Sequence, residues 1–145
     1  MSARHKARKR ALDVLFAADL RGVSPLEVLA EELERPHPDA KRWTADDYAR
    51  ALVEGVAADR EAIDRVIQET STNWPLERMP AVDRAILRLG VWELLPGGVV
   101  PVAVVVSEAA ALAQEYSTEE SRSFVQGVLG ALVAGDHPLP PRSSR

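Results

Sequence analysis

The segment 80–95 constrains the fold more than any other part of the chain, because it is apolar nearly all the way round a helix. At helical spacing, one apolar stripe consists of Val82, Ile86, Leu89 and Trp92. A second stripe beside it consists of Leu87, Val91, Leu94 and Leu95. A helix that is apolar on most of its surface is stable when other helices surround it. The segment therefore predicts the central helix of a bundle.

Five further segments repeat apolar residues at the three- and four-residue spacing of amphipathic helices. They run over about residues 4–20, 24–34, 44–70, 101–115 and 118–134. Short connectors separate the segments, for example the proline-containing stretches at 35–42 and 71–75. Six to seven helices joined in this way predict an all-α fold of two three-helix bundles. We expect an N-terminal unit at 1–71, a C-terminal unit at 72–136 and a disordered tail at 137–145.

The valine-rich segment 99–106 allows two local interpretations. β-branched residues favour strands, but Pro101 suits the first turn of a helix, and Val102 and Val105 continue in helical register. A lone strand would also have no partner, so we predict a helix. Ser117-Thr118-Glu119-Glu120 predicts a capping box at the start of the last helix. Within the segment 44–70, Gly55 predicts a close helix crossing.

A basic arm begins this acidic protein. The arm contains no acidic residue and six that carry or can carry positive charge: Arg4, His5, Lys6, Arg8, Lys9 and Arg10. The net charge is −4, so the chain without the five fixed cations of the arm carries about −9. These side chains point in nearly every direction round a helix, and their charge opposes the helix dipole. We expect them to project into solvent and bind a polyanion, first of all nucleic acid. Neutralisation of these side chains by the protein's own carboxylates, away from solvent, would overturn that role.

The sequence contains no motif for catalysis, a metal or a cofactor. Cysteine is absent, which excludes disulfides, thiol nucleophiles and cysteine-based zinc sites. His5, His37 and His137 are far apart in the chain, and no glycine-rich phosphate loop occurs. No apolar run approaches the roughly 18 residues of a membrane span. We expect a cytoplasmic protein that is not an enzyme.

Four ordered blocks of the chain resemble those that mark the NusB family of bacterial transcription antitermination factors. They are RKRALDVLF at 8–16, VDRAILRLGVWEL at 82–94, VVVSEA at 104–109 followed by Leu112-Ala113, and FVQGVL at 124–129. The resemblance implies two three-helix bundles and a protein that pairs with NusE, a small-subunit ribosomal protein, on boxA RNA. Such a pair helps RNA polymerase read through terminators in ribosomal RNA operons, without catalysis.

The resemblance also implies which residues contact each partner. Proteins bind single-stranded RNA with cations on phosphates and aromatic rings on bases. The implied RNA-binding residues are Arg4, His5, Lys6, Arg8, Lys9, Arg10, Phe16, Glu120, Ser121, Arg122, Phe124 and Gln126. Core packing is the alternative for the two phenylalanines. Solvated charge is the alternative for the implied NusE face, which consists of Asp83, Arg84, Arg88 and Glu93.

The chain departs from the family pattern at three positions. Gln126 and Ser107 stand where the family usually has asparagine, and His5 stands where arginine is common. Two other functions stay open: an RNA-binding module that acts in trans with an rRNA-modifying enzyme, and a helical protein-binding adaptor. A homodimer is open as well, because residues that permit close helix approach lie on the last helix: Gly127, Gly130 and Ala131.

Overall fold

Seven α-helices make up most of the residues that the computed structural model describes, which are 2–35, 47–135 and 138–143. In chain order they are α1 (Ala3–Arg21), α2 (Pro25–Glu34), α3 (Tyr48–Ala58), α4 (Arg60–Thr70), α5 (Ala81–Leu94), α6 (Val102–Tyr116) and α7 (Glu119–Ala134). A single 3-10 turn, Leu76–Arg78, precedes α5. The described residues contain no strand, so the all-α prediction is confirmed, and the valine-rich segment leads into α6 as predicted.

The central helix is α5, as its all-round apolar sequence predicts. It contacts α1, α3, α4, α6 and α7. Each residue from 85 to 93 is buried. Around α5, the helices α1, α2 and α3 pack on one another, while α6 packs on α7. Because α5 contacts helices of both groups, the division into units at 1–71 and 72–136 stays a prediction.

The long helix predicted over 44–70 is interrupted at Asp59. This residue has φ −106° and ψ 17° and lies between α3 and α4. The apolar spacing continues in phase from Leu52 and Val56 to Ile63, so periodicity alone does not reveal the break. Residues 44–46 of that prediction lie outside the described residues, as do His37, His137 and most of the loop predicted at 35–42.

Two local predictions have different outcomes. The N-cap of α7 is Thr118, whose side-chain oxygen accepts a hydrogen bond from the backbone N–H of Ser121 at 3.0 Å. The third helical position is therefore Ser121, and the capping box predicted from Ser117 and Glu120 does not form. The close crossing predicted at Gly55 is confirmed, because the indole of Trp92 occupies the space that a Cβ would need.

The tail lies against the helical body over residues 138–143, although its composition predicts disorder. The guanidinium of Arg142 lies 3.6 Å from the ring centroid of Trp92 and donates a hydrogen bond to the Trp92 carbonyl oxygen at 3.0 Å. The backbone N–H of Ser143 donates to Asp59 Oδ1 at 3.0 Å. We call residues 138–143 the C-terminal strap. Composition does not predict it, because these contacts depend on the folded surface that the tail meets.

Candidate nucleic-acid interface

The basic arm, 4–10, forms the first turns of α1. Ser2 caps the helix by accepting a hydrogen bond from the backbone N–H of His5 at 3.0 Å, and the first turn contains no acidic residue. Small buried side chains such as Ala7 and Ala11 bring α1 close to the neighbouring helices. The arm therefore lies on the body of the protein. The expectation that all its cations project into solvent is wrong, most clearly for Arg8.

Arg8 turns inward and pairs with α5. Its side chain is 3% exposed, and its Nε and Nη2 donate to the two carboxylate oxygens of Glu93 at 2.8 and 2.9 Å. The hydroxyl of Tyr48 donates to Glu93 Oε2 at 2.8 Å. Burial acts to lower the pKa of Arg8, but the hydrogen bonds and charge of Glu93 outweigh burial and raise it. Burial and then the charge of Glu93 raise the pKa of Tyr48, which keeps its hydroxyl a donor.

Arg10 joins α1 to the start of α3. Its Nη2 donates to both carboxylate oxygens of Asp47 at 2.7 Å. The same carboxylate caps α3 by accepting a hydrogen bond from the backbone N–H of Ala49 at 2.8 Å. Arg8 and Arg10 thus hold α1 in place. Their pairing with the protein's own carboxylates argues against direct contact of these two residues with a polyanion.

Two glutamates of α6 face His5 and Lys9. His5 Nδ1 lies 2.8 Å from Glu108 Oε2, and its Nε2 lies 3.7 Å from Glu115 Oε2. Lys9 Nζ donates to Glu115 Oε1 at 2.6 Å. This hydrogen bond raises the pKa of Lys9 and lowers that of Glu115. Sequence analysis missed both glutamates, although their seven-residue spacing places them on one face of a helix.

Arg4 and Lys6 are exposed, as the sequence predicts for the arm. The guanidinium of Arg4 lies 5.1 Å from the ring centroid of Tyr48. Lys9 lies 5.6 Å from the ring centroid of Tyr116, which is 40% exposed. Two cations of the arm, Arg4 and Lys9, therefore each lie beside a tyrosine ring.

The end of α6 brings the arm together with α7. Glu115 holds Lys9, while the neighbouring Gln114 accepts a hydrogen bond from Arg122 of α7. The arm and the start of α7 therefore share one end of the molecule. We call the exposed and partly exposed basic side chains at this end the basic surface: Arg4, His5, Lys6, Lys9 and Arg122.

The other residues predicted on α7 have different environments. Ser121 is buried, and its hydroxyl donates to Asp83 Oδ2 at 2.8 Å, which ties α7 to α5. Glu120 is exposed in the first turn, where the helix dipole favours a carboxylate. Gln126 is exposed and lines a shallow groove between α6 and α7. Ser121 is thus a structural residue, while Glu120 and Gln126 are accessible.

The two phenylalanines are both half-buried. Phe124 packs edge-on against Trp74, with ring centroids 4.8 Å apart and an interplanar angle of 62°. The rings of Phe124 and Trp74 border a groove between the 71–74 segment and α7. Trp74 was missed as a candidate residue, because the sequence marks its segment only as a break between helices.

The charged side chains of α5, to which the resemblance assigns the NusE contact, lie largely inside the protein. Three of the four are almost fully buried, at 1%, 6% and 4% exposure: Asp83, Arg88 and Glu93. The fourth, Arg84, donates through Nε and Nη2 to Asp19 Oδ2 at 2.8 and 2.6 Å. Arg88 donates to Asp64 at 2.8 and 3.1 Å. Because α5 is surrounded by helices, three of its charges form ion pairs inside the protein, while Asp83 accepts a hydrogen bond from a hydroxyl.

The fold and the site define an all-helical protein with a buried central helix and a basic surface at one end. Within the described residues there is no group of three side chains suited to hold a metal ion. None of the described helices is long and apolar enough to span a membrane. The chain belongs to the NusB family, whose family model matches residues 5–134.

Named relatives agree with this assignment. The transcription antitermination protein NusB of Acidothermus cellulolyticus is 55% identical over 134 residues, which are 92% of this chain and 89% of that protein. The protein of the same name from Clavibacter michiganensis subsp. michiganensis is 52% identical over 134 residues, covering 92% of this chain and 98% of that one.

Solved structures show the same fold. NusB of T. maritima superposes with a TM-score of 0.80 at 28% identity, over 97% of this chain and 95% of that chain. A crystal structure of the antitermination factors NusB and NusE in complex with dsRNA contains a chain with a TM-score of 0.73 at 33% identity. The match covers 92% of this chain and 98% of that chain.

Proposed function

We propose that this chain is a transcription antitermination factor that binds boxA-type single-stranded RNA together with NusE and supports read-through in ribosomal RNA operons. Membership of the NusB family supports the role, and the similar structure of NusB with NusE and dsRNA supports both kinds of partner. One observation carries the RNA site, namely the grouping of cations and tyrosine rings at one end of the molecule: Arg4, Lys6, Lys9, Arg122, Tyr48 and Tyr116.

Within this proposal the cations of the arm have two roles. Arg4, Lys6 and Lys9 are exposed or half-exposed and contact phosphates. Arg8 and Arg10 position α1 through their carboxylate partners and act on RNA indirectly. A site of this kind needs no catalytic group, and we propose no enzymatic activity.

Base contacts are assigned to accessible residues of α1 and α7. Unstacked bases of single-stranded RNA bind to aromatic rings and to polar groups that reach their edges. The residues with this chemistry that are accessible in part are Phe16, Phe124, Glu120 and Gln126. We assign the NusE contact to another surface than the charges of α5, because three of those side chains are almost fully buried and Arg84 is paired with Asp19.

RNA binding by the full chain tests the proposed function. Fluorescence anisotropy compares a labelled boxA RNA with a scrambled RNA of equal length, each with and without the cognate NusE. We expect tighter binding to the boxA RNA and a further gain with NusE. Equal affinity for the two RNAs under both conditions would refute the proposal.

A matched pair of variants tests the site. Lys6→Ala removes an exposed cation of the arm, so we expect weaker RNA binding. In a plot of log affinity against log salt concentration, we expect the slope to be less steep by about 0.7. Arg65→Ala removes an exposed arginine of α4 and is the control, for which we expect no change. Equal losses in both variants would contradict the assignment to the arm.

A further inference from the structure

We propose that Glu115 and Glu108 are built-in competitors of RNA phosphate, which occupy Lys9 and His5 until RNA displaces them. The inference rests on the proposed function, because it concerns how the same basic surface takes up RNA. It goes further by naming two acidic residues of α6 that set the affinity of a cationic site. The glutamates weaken RNA binding, although they contact two residues of the basic surface.

The ion pairs of the arm fall into two kinds. In the pair of Arg8 with Glu93 both side chains are 3% exposed. In the pair of Lys9 with Glu115 the side chains are 24% and 39% exposed, although the atoms lie only 2.6 Å apart. Water and salt screen an exposed pair strongly, so its exchange for another anion costs little. The exposed pair is therefore exchangeable, while the buried pair is part of the fold.

The surroundings of Lys9 suit an exchange of one anion for another. The ammonium group lies over the ring of Tyr116 and beside the Glu115 carboxylate at the same time. When the carboxylate leaves, the cation–π contact keeps the ammonium group near the same place. A phosphate oxygen then takes the position of Glu115 Oε1, and the charge of Lys9 stays paired throughout.

His5 is held in a similar way between two carboxylates. Its ring nitrogens face Glu108 at 2.8 Å and Glu115 at 3.7 Å. Glu108 is also 3.9 Å from Nη1 of Arg8. Displacement of Glu115 therefore frees one side of the imidazole, while Glu108 is displaced less readily because it also faces the buried Arg8. Glu115 is the main competitor, and Glu108 is the secondary one.

Selectivity for a chain of phosphates follows from this arrangement. A single anion that displaces Glu115 forms one ion pair with Lys9 and breaks the ion pair between Lys9 and Glu115, so the net gain in binding free energy is small. A nucleic-acid strand contacts Lys9 together with the exposed Arg4 and Lys6. The extra contacts offset the lost carboxylate pair, so the glutamates favour a polyanion over an isolated anion.

Glu115→Gln tests the competition. We expect roughly threefold tighter binding of the single-stranded boxA RNA at low salt, and a gain that shrinks as the salt concentration rises. Glu31→Gln is the matched control, because Glu31 pairs with Arg21 at 2.9 Å at the other end of α1, with both side chains 48% exposed. We expect its RNA affinity to equal that of the unmodified protein.

A double-mutant cycle separates pairing from a general effect of charge. If Glu115 acts through Lys9, Glu115→Gln tightens binding much less when Lys9→Gln is already present. The same gain in both backgrounds would overturn the inference, and so would equal affinity of Glu115→Gln and the unmodified protein while both bind RNA. Absence of RNA binding from every variant, with and without NusE, would overturn the proposed function and this inference with it.

Discussion

Glu93 is the counter-charge of a buried arginine, and its replacement tests how the arm is held. Glu93→Gln removes the carboxylate that accepts both hydrogen bonds from the buried Arg8 guanidinium. Breaking one side of a buried ion pair costs about 3–5 kcal/mol. We expect a loss of this size in the free energy of unfolding, measured by urea denaturation. Glu31→Gln, in an exposed pair, should change it little, and a small loss in both variants would contradict the buried role.

Tyr48 makes the stability of the protein sensitive to alkaline pH. Burial and the charge of Glu93 raise the pKa of its hydroxyl above the ordinary 10.0. A raised pKa means that the unfolded chain loses this proton first, so the contribution to stability is complete below about pH 10 and declines as the pH rises further. We therefore expect urea denaturation to give a smaller difference in the free energy of unfolding between Tyr48→Phe and the unmodified protein at pH 11 than at pH 9. A constant difference would contradict the assignment.

Adjacent residues of the arm show the limit of sequence analysis at this scale. Arg8 and Lys9 have the same charge and the same local pattern, and both match the family block at 8–16. Arg8 is nevertheless buried on Glu93, while Lys9 is half-exposed on Glu115. The difference in exposure depends on Glu93 and Glu115, which are distant from the arm in the sequence and come near it only in the folded protein. Local patterns therefore predict that the arm is basic and cannot predict which of its cations are available.

At the scale of the elements, the stability of the fold depends on how closely neighbouring helices approach, and two glycines test this. Gly55→Ala places a methyl group where the indole of Trp92 lies, at the crossing of α3 and α5. Overpacking of this kind costs about 1–3 kcal/mol. Gly127→Ala lies on the open face of α7, where no atom is within 4 Å of an added Cβ, and should stabilise the helix by up to about 1 kcal/mol. Thermal unfolding by circular dichroism should show opposite shifts in Tm.

The C-terminal strap is a second element that can be tested by one substitution. Arg142→Ala removes the cation from the face of Trp92 together with the hydrogen bond to its carbonyl oxygen. A partly desolvated cation–π contact contributes about 0.5–2 kcal/mol. We expect a lower Tm than in Arg78→Ala, which changes an exposed arginine of the 3-10 turn. Equal Tm values would mean that the strap does not stabilise the body.

Helix periodicity predicts most elements but not their interruptions. The segments that become α1, α2, α5, α6 and α7 follow from apolar spacing and from proline and glycine at their ends. The break at Asp59 preserves the phase of the apolar stripe, so the pattern contains no sign of it. The strap was missed for a different reason, since its contacts are made by a polar, proline-rich segment that would be disordered without the Trp92 face.

At the scale of the whole molecule, α5 couples the two groups of helices. Because α5 packs on α1 and α3 as well as on α6 and α7, we expect a single cooperative unfolding transition. Urea curves followed by tryptophan fluorescence and by far-ultraviolet circular dichroism should coincide. Two separated transitions would show instead that the units predicted at 1–71 and 72–136 unfold independently.

The position of α5 in the chain also has a consequence for synthesis on the ribosome. The apolar faces of α1 and α3 are translated first, yet the helix that covers them begins only at Ala81. Short helices are marginal in water until they pack, so the nascent first half exposes its apolar residues while translation continues. Protection by a chaperone matters most in this interval, and a pause just before residues 81–94 would prolong the exposure.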